Sequence, residues 1–290
     1  MSIIEKKEFN KKIFSNIKSV VKDYDLIEKG DLIAIALSGG KDSVLTLHAL
    51  YWLQNSPDMP SFDLIAISVN EGIAHYRNHG LESAVSNARD LDIPLIEKSF
   101  NEEYDLDLDD IYMNFKSACI PCGVFRRTIL NKTAREVGAD KIATGHNLDD
   151  EIQSFLMSFS RADIFKFSKF GPKLDKIHPK LVPRIKPLWN TKEKDVGTWA
   201  ILNNMDIHLN ECPYSNLSLR SKIKTFLNDL DSNNPGTKIA IMESFKKMFL
   251  DIKASTANLN QCQKCGEPCS GDICKSCDII DILKLNKGTD

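Results

Sequence analysis

The sequence has no long hydrophobic run. No stretch of its 290 residues approaches the roughly 18 uncharged apolar residues that a membrane-spanning helix needs. The apolar run of a secretion signal is also missing near the start, where residues 5–8 are all charged. We therefore expect a cytoplasmic protein with no membrane association.

Cysteine and net charge are both low. Eight cysteines in 290 residues are far fewer than the ~8–10% of a secreted disulfide scaffold. In the cytoplasm these thiols stay reduced and are free for metals or catalysis. A net charge of −2 argues against general electrostatic attraction to nucleic acid. The 42% hydrophobic content supports a folded core, and the length predicts one large domain with a smaller one.

Positive charge is nevertheless concentrated in residues 160–194. This stretch holds ten lysines and arginines against three acidic residues, a net charge of +7. It also contains Phe165, Phe167, Phe170 and Trp189. Such a composition can bind a polyanion through phosphate pairing and base stacking. It is equally typical of a solvated lysine-rich loop, and the sequence leaves both interpretations open.

Short apolar runs alternate with helical patterns along the first half of the chain. Strands are predicted at 32–37, 63–69, 93–97 and 141–144, with helices between them. This alternation predicts an α/β fold with a doubly wound parallel sheet. The predicted divisions are an N-terminal helical segment (1–30), a catalytic domain (31–215), a helical extension (216–258) and a cysteine-rich module (259–280).

A glycine loop follows the first predicted strand and opens a helix. Its residues are Ser38, Gly39, Gly40, Lys41, Asp42 and Ser43. Two glycines allow close approach to a phosphate, and the helix N-terminus offers free N–H groups. The loop is not a Walker motif, because Asp42 stands where that motif has Ser or Thr. It resembles the SGGxDS loop of the N-type ATP pyrophosphatases, which implies binding of the β,γ-pyrophosphate of ATP.

Two further segments end parallel strands, where ligands bind in open α/β sheets. Val69 lies at the end of the second strand, and Gly145, Asp149 and Asp150 follow the fourth. Adjacent carboxylates suit Mg²⁺ beside phosphates, because this ion prefers oxygen ligands. Both aspartates also fit a simple role in complementing the helix dipole. The nearby glycine loop favours the magnesium interpretation.

Five of the eight cysteines lie close to the C-terminus. Two CxxC pairs, Cys262 with Cys265 and Cys274 with Cys277, are separated by eight residues. This spacing predicts a structural zinc site, which supplies the folding energy that so short a module otherwise lacks. Cys269 lies between the pairs and is interpreted as a bystander.

The remaining cysteines are Cys119, Cys122 and Cys212. The first two form a CxxC that can act as a redox pair. Cys212 can be an ordinary buried thiol. Alternatively, the three can hold a metal or cluster with one open position. The residues alone leave these alternatives open.

Together these motifs resemble the tRNA 2-thiouridine synthetases of the archaeal and eukaryotic cytosolic type, within the PP-loop ATP pyrophosphatases. The resemblance spans about residues 30–280. It rests on the glycine loop, Glu71-Gly72-Ile73, Cys119 and Cys122 followed by Gly123 and Arg126, segment 145–151, segment 184–188, Cys212-Pro213-Tyr214 and the four C-terminal cysteines.

The resemblance implies an ATP-dependent reaction in which a tRNA uridine is adenylated at its C2 carbonyl oxygen and sulfur then displaces AMP. It implies a [4Fe-4S] cluster on Cys119, Cys122 and Cys212, whose fourth iron holds the sulfide. Asp42 and Asp150 match acidic positions of the ATP site, and Arg126 matches a basic position beside the cluster. The implied ATP-binding residues are Ser38, Gly39, Gly40, Lys41, Asp42, Ser43, Val69, Gly145 and Asp150.

The implied cofactors are ATP, Mg²⁺, the cluster and Zn²⁺. The expected partners are tRNA and a sulfur donor, either sulfide or a thiocarboxylated ubiquitin-like carrier, and we expect a homodimer. The sequence departs from the family in one respect: no cysteine precedes Cys119, whereas family members usually begin with a second zinc module.

Other functions share parts of this pattern. A 2-thiocytidine synthetase would share the loop and the three cysteines, but that group generally lacks the C-terminal cysteine module. A persulfide-based sulfurtransferase would need Cys119 and Cys122 but not Cys212. A lysidine synthetase or an amidotransferase-type ligase would need only the loop. A zinc-dependent RNA-binding scaffold would not need an intact glycine loop.

Overall fold

A computed structural model describes residues 3–163, 170–215, 219–249 and 259–287. It begins with helix α1 (Ile3–Asp23), whose buried side chains are Ile13, Ile17, Val20 and Val21. This apolar spacing is the one that predicted the helix. α1 packs against α2 (Lys41–Gln54) and α8 (Glu193–Leu202), and it thereby joins the core of the main domain.

The main sheet has six strands in the order β3-β2-β1-β4-β6-β5. Their bounds are β1 (Leu32–Ala36), β2 (Asp63–Asn70), β3 (Leu95–Ser99), β4 (Lys141–Ala143), β5 (Lys173–Leu174) and β6 (Arg184–Ile185). All neighbours pair in parallel except β5, which is antiparallel to β6. The four predicted strands are confirmed. The pattern missed β5 and β6, because each has only two residues and lies among prolines.

Helices cover both faces of the sheet, which confirms the doubly wound fold. The first face carries α1, α2, α3 (Arg77–Asp90), α7 (Leu148–Phe159) and α8, whose apolar side chains form one core cluster. The second face carries α4 (Phe100–Tyr104), α5 (Leu108–Ile111), a 3-10 turn (Tyr112–Asn114) and α6 (Cys119–Glu136). Side chains of α6 such as Phe125 and Ile129 form the centre of that second cluster.

Two helices extend the first face beyond the sheet. α9 (Leu219–Asn233) packs along α7, and α10 (Thr237–Phe249) packs on both. Leu227, Met242 and Phe245 bury their side chains in the first core cluster. The predicted helical extension, 216–258, includes residues 216–218 and 250–258, which lie outside the described residues.

In the described part of the basic stretch 160–194, aromatic rings and several basic side chains make contacts within the protein. Phe170 packs against Phe155 and Phe245, and Trp189 is buried in the core, so neither is free to stack on a base. Phe165 and Phe167 lie outside the described residues. The amino group of Lys173 donates to the carbonyl oxygen of Asp25 at 2.9 Å. Phe170 and Trp189 therefore do not support the base-stacking interpretation of this stretch, because both rings pack in the core of the first face.

The C-terminal cysteines lie in a small unit with strands β7 (Asn260–Gln261) and β8 (Pro268–Cys269) and helix α11 (Lys275–Lys287). α11 runs beyond the predicted end at 280 and packs on α6. Its Ile279 and Leu283 join the second core cluster. Arg135 of α6 forms a two-point ion pair with Glu267, at 2.6 and 3.1 Å.

The sulfur atoms of Cys262, Cys265, Cys274 and Cys277 all lie within 4.8 Å of one another, an arrangement able to hold one metal ion. The backbone N–H of Cys274 donates to the sulfur of Cys262 at 3.2 Å. Burial raises the pKa of Cys262, but such backbone donors outweigh this effect and lower the pKa to about 6. The lowered pKa favours the thiolate that zinc requires. The set of four sulfur donors fits zinc. Across the described residues, no helix is long and apolar enough to cross a membrane.

We predict that Cys265→Ser lowers the zinc content and increases hydrogen exchange in α11, because three thiolates close a structural zinc site poorly. Elemental analysis and exchange mass spectrometry measure the two effects. Cys269→Ser is the matched control, since this thiol contacts the carbonyl oxygen of Gly271 and lies outside the cluster. Zinc loss in the control, or a wild-type protein that binds no zinc, would contradict the prediction.

Candidate functional site

The glycine loop connects β1 to α2 at the carboxyl edge of the sheet. Gly39 has a φ of +80°, and a Cβ at this position would lie 1.9 Å from the carbonyl oxygen of Gly80 on α3. Gly40 has extended backbone and precedes α2 with no side-chain cap on the helix. Gly39 is therefore required by the local packing, whereas a Cβ at Gly40 would meet only ordinary contacts, the nearest at 3.6 Å. The first N–H groups of α2 are left for a ligand.

Hydrogen bonds hold the loop in shape. The hydroxyl of Ser43 donates to the carbonyl oxygen of Gly40 at 2.9 Å and accepts from the backbone N–H of Ser38 at 3.1 Å. The carbonyl oxygen of Gly39 accepts from the hydroxyl of Ser83 at 3.0 Å and from the backbone N–H of His208 at 2.9 Å. The loop is therefore preorganised, and it is tied to the segment that follows α8.

Lys41 lies between two carboxylates. Its amino group is 2.8 Å from Asp42 and 3.1 Å from Glu193, the first residue of α8. Burial lowers the pKa of Lys41, but the two carboxylates outweigh this effect and raise the pKa to about 12. The side chain is therefore a cation at neutral pH. Asp42 also accepts a hydrogen bond from the side-chain amide of Asn147 at 2.8 Å.

The turn from β4 to α7 crosses over the start of α2. A Cβ at Gly145 would lie 2.8 Å from the carbonyl carbon of Asp42, so only glycine permits this approach. Asn147 caps α7 through a reciprocal pair of hydrogen bonds with Asp150, at 3.1 and 3.3 Å. Asp42 and Asp150 are thus both bonded to Asn147.

The two aspartates at the start of α7 have different surroundings. Asp149 is buried and bonds to the amino group of Lys238 at 2.5 Å and to the backbone N–H of Glu193 at 2.7 Å. Asp150 pairs with Arg220 of α9 at 3.1 Å. Burial raises the pKa of Asp150 to about 6, with Asp42 adding and Arg220 opposing. The side chain of Asp149 is 5% exposed and that of Asp150 is 31% exposed, so Asp150 is the more accessible of the two to a metal ion.

The three cysteines of the second group meet at the same edge of the sheet. Cys119 is exposed in the first turn of α6, and Cys122 and Cys212 are half-buried beside the second core cluster. Burial raises the pKa of Cys122 to about 12, with Glu71, Cys212 and Cys119 adding to the effect and Arg126 opposing it. The three thiols are therefore electrostatic neighbours, although 90 residues separate Cys122 from Cys212.

The donor set fits an iron–sulfur cluster better than a single ion. In the part of the chain that the structure describes, only the four C-terminal cysteines bring three or more ligand atoms within 4.8 Å. Cys119, Cys122 and Cys212 are thus spaced more widely than the ligands of one metal ion. Three soft sulfur ligands and one open position suit a cluster.

The loop that carries Cys212 is anchored to the second face. The Tyr214 hydroxyl donates to Asp109 at 2.7 Å, and its ring packs on Tyr112 with centroids 4.5 Å apart. The carbonyl oxygen of Cys212 accepts from the backbone N–H of Ser215 at 2.9 Å. These contacts fix the position of Cys212 relative to α6.

A buried carboxylate connects the cysteine site to the glycine loop. Glu71 lies 2.8 Å from Nε of Arg77 and 3.2 Å from Nη1 of Arg126. Arg77 in turn donates to the carbonyl oxygens of Ser38, at 2.6 Å, and of Val69, at 2.9 Å. Val69 therefore contributes to this connection through its backbone.

Sequence reasoning missed Arg77, Glu193 and Arg220. No local pattern marks them: each lies far along the chain from the site residue it contacts, and arginine and glutamate are common on helix surfaces. Only the turn containing Glu71 gave a signal, as part of the family pattern.

One edge of the sheet carries the glycine loop, the aspartates at the start of α7 and the three cysteines. This combination is typical of a PP-loop protein. A family model described as the PP-loop domain matches residues 9–230. The tRNA 2-thiolation protein NcsA of Haloferax volcanii is 36% identical over 265 residues, covering 86% of this chain and 82% of that protein. Cytoplasmic tRNA 2-thiolation protein 1 of Dictyostelium discoideum is 34% identical over 266 residues, covering 91% of this chain and 73% of that protein.

A solved structure shows the same likeness. The U34-tRNA thiolase NcsA from Methanococcus maripaludis, determined with its [4Fe-4S] cluster, superposes with a TM-score of 0.82 at 33% identity. The match covers 96% of this chain and 89% of that one. The chain therefore belongs to the PP-loop family, and within it to the tRNA 2-thiolation proteins.

We predict that Glu71→Gln lowers the free energy of unfolding by about 3 kcal/mol, because two guanidiniums lose the buried charge that pairs with them. Urea denaturation at neutral pH measures the change. Glu82→Gln is the matched control, because this carboxylate is largely exposed on α3. Equal stability of the two variants would contradict the prediction.

Proposed function

We propose that this protein is an ATP-dependent tRNA uridine 2-thiolase. It adenylates the C2 carbonyl oxygen of a tRNA uridine and transfers sulfur to C2, releasing AMP and pyrophosphate. The observation that carries the proposal is the meeting of the glycine loop and the three cysteines at one sheet edge, joined through Arg77, Glu71 and Arg126. The names of its relatives support the same reaction.

The loop residues bind the pyrophosphate of ATP. Backbone N–H groups at the start of α2 face the phosphates, with the hydroxyls of Ser38 and Ser43 beside them. Lys41 supplies a fixed positive charge where negative charge develops as the α–β bond breaks. Asp42 and Asp150 hold Mg²⁺, because both carboxylates lie beside Asn147 at the start of their helices.

Cys119, Cys122 and Cys212 hold the cluster. When bound, a [4Fe-4S] cluster with three protein ligands supplies a Lewis-acidic iron that can carry sulfide. Arg126 places a cation beside Cys122, and Glu71 holds that cation in position. The glycine loop and the three cysteines lie at the same edge of the sheet. A uridine bound at this edge therefore has the nucleotide on one side and the sulfur source on the other.

Four further predictions belong to this proposal. Zinc fills the C-terminal cysteine site, and the sulfur donor is sulfide or a thiocarboxylated ubiquitin-like carrier. The active species is a homodimer in the cytoplasm. Residues 31–215 form the catalytic domain, with 1–30, 216–258 and 259–280 as the segments that pack on it.

The alternatives differ in what they need. A persulfide route uses Cys119 and Cys122 and ends in a disulfide that must be reduced in each cycle. It gives no role to Cys212, which the fold brings beside that pair and anchors through Tyr214. A 2-thiocytidine synthetase uses the same three cysteines but has no need for the C-terminal cysteine module.

We predict that Cys212→Ala loses bound iron and thiolation but still binds ATP, because the loop at α2 does not contact it. Iron analysis of anaerobically prepared protein, nucleoside mass spectrometry and calorimetric ATP binding measure the three properties. Cys269→Ala is the matched control and keeps its iron. Full thiolation by Cys212→Ala, or by iron-free protein, would favour the persulfide route.

We predict that Lys41→Ala lowers thiolation about a hundredfold at saturating ATP and tRNA, because its charge acts on the transition state. Single-turnover release of AMP measures the loss. Lys29→Ala, at an exposed position before β1, is the control. A wild-type rate in Lys41→Ala would show that the loop does not bind the pyrophosphate.

A further inference from the structure

Three arginines lie on the second face of the sheet beside the cysteine site. Arg126 is paired with Glu71, but Arg127 and Arg184 contact no carboxylate among the residues that the structure describes. Arg127 turns back toward the start of α6, where a Cβ at Gly123 would lie 3.1 Å from its Nη1. Its guanidinium therefore lies close to the Cys119–Cys122 segment.

The packing of α6 against β6 brings Arg184 to the same place. The side chain of Asn131 accepts from the backbone N–H of Val182 and donates to the carbonyl oxygen of Lys180, each at 2.9 Å. α6 runs antiparallel to the strands, as in other right-handed crossovers. Arg127 lies one helical turn before Asn131, toward the start of α6. Arg184 lies two residues after Val182, in β6. Both therefore lie toward the carboxyl edge of the sheet.

These positive charges are held together at an energetic cost. Burial, together with repulsion from Arg127 and Arg126, lowers the pKa of Arg184 to about 10, so this side chain stays a cation at neutral pH. Burial, with cations that include Arg184 and Arg126, lowers the pKa of His146 to about 3. A half-buried cation without a counter-charge destabilises a fold, and a bound anion relieves that cost.

We propose that Arg127 and Arg184 form a phosphate site for the tRNA backbone next to the target nucleotide. This inference rests on the proposed function. ATP has its own phosphate loop on the opposite face, at α2 with Lys41, so the two arginines are left for the second substrate. A phosphate bound beside α6 places the neighbouring base at the edge between the nucleotide and the cysteines.

The chemistry of the two side chains suits this ligand. Guanidiniums bind phosphate oxygens with two parallel hydrogen bonds, which fixes orientation as well as position. Contacts to the backbone set the register of a nucleic acid without reading its sequence. Such a contact is needed here because the reacting base must be held out of its stack.

The test uses Arg127→Gln, Arg184→Gln and Arg184→Lys in the full chain, with Arg89→Gln as the matched control. Arg89 is exposed at the far end of α3. Fluorescence anisotropy with an unmodified tRNA transcript is recorded over a range of salt. Each glutamine variant should bind about tenfold more weakly, and the slope of log affinity against log salt should fall by about 1.

Arg184→Lys should keep the wild-type slope, since it keeps the charge. ATP affinity should be unchanged in every variant. The melting temperature of Arg184→Gln without tRNA should equal or exceed that of wild type, because an unpaired cation has been removed. If Arg184 instead stabilised the fold, Arg184→Gln would have a lower melting temperature than wild type.

Two results would overturn the phosphate site alone. One is wild-type affinity and slope in both glutamine variants, and the other is a loss of binding that accompanies a lowered melting temperature in Arg184→Gln. Failure of the wild-type protein to bind tRNA at all would overturn the proposed function together with this site.

Discussion

The carboxylate of Glu71 supports the arrangement of the whole site, because it is buried and pairs with two guanidiniums, one beside the glycine loop and one beside the cysteines. On one side Arg77 reaches the carbonyl oxygen of Ser38 and so fixes the glycine loop. On the other side Arg126 is held beside Cys122. A buried charge with well-aligned partners resists displacement, since moving any one of them leaves the others unpaired. The nucleotide loop and the cysteines are thereby kept in one geometry.

The C-terminal helices extend the same principle to the acidic start of α7. Arg220 and Lys238 pair with Asp150 and Asp149, and Lys224 pairs with Glu193, which also contacts Lys41. Without these cations, several carboxylates would lie close together beside the loop. α9 and α10 are therefore part of the charge balance beside the glycine loop, where their cations offset the carboxylates of Asp149, Asp150 and Glu193.

The cysteine-rich unit reaches the site through α6. α11 packs on this helix and places Ile279 and Leu283 in the second core cluster. Arg135 of α6 pairs with Glu267 of the cysteine-rich unit. The start of α6 carries Cys119, Cys122 and the arginines. The four-cysteine unit near the C-terminus thus packs on the helix whose first turn carries Cys119 and Cys122.

Local patterns in the sequence determined four features that short stretches can encode: the strands β1 to β4, the glycine loop, the two C-terminal CxxC pairs and the helix α1. Each depends on residues close together in the chain. The tertiary structure alone decided that Asp149 lies buried against Lys238 while Asp150 stays partly exposed, that Trp189 is core, and that Arg77 contacts the glycine loop. These roles come from contacts between distant segments, which no local periodicity records.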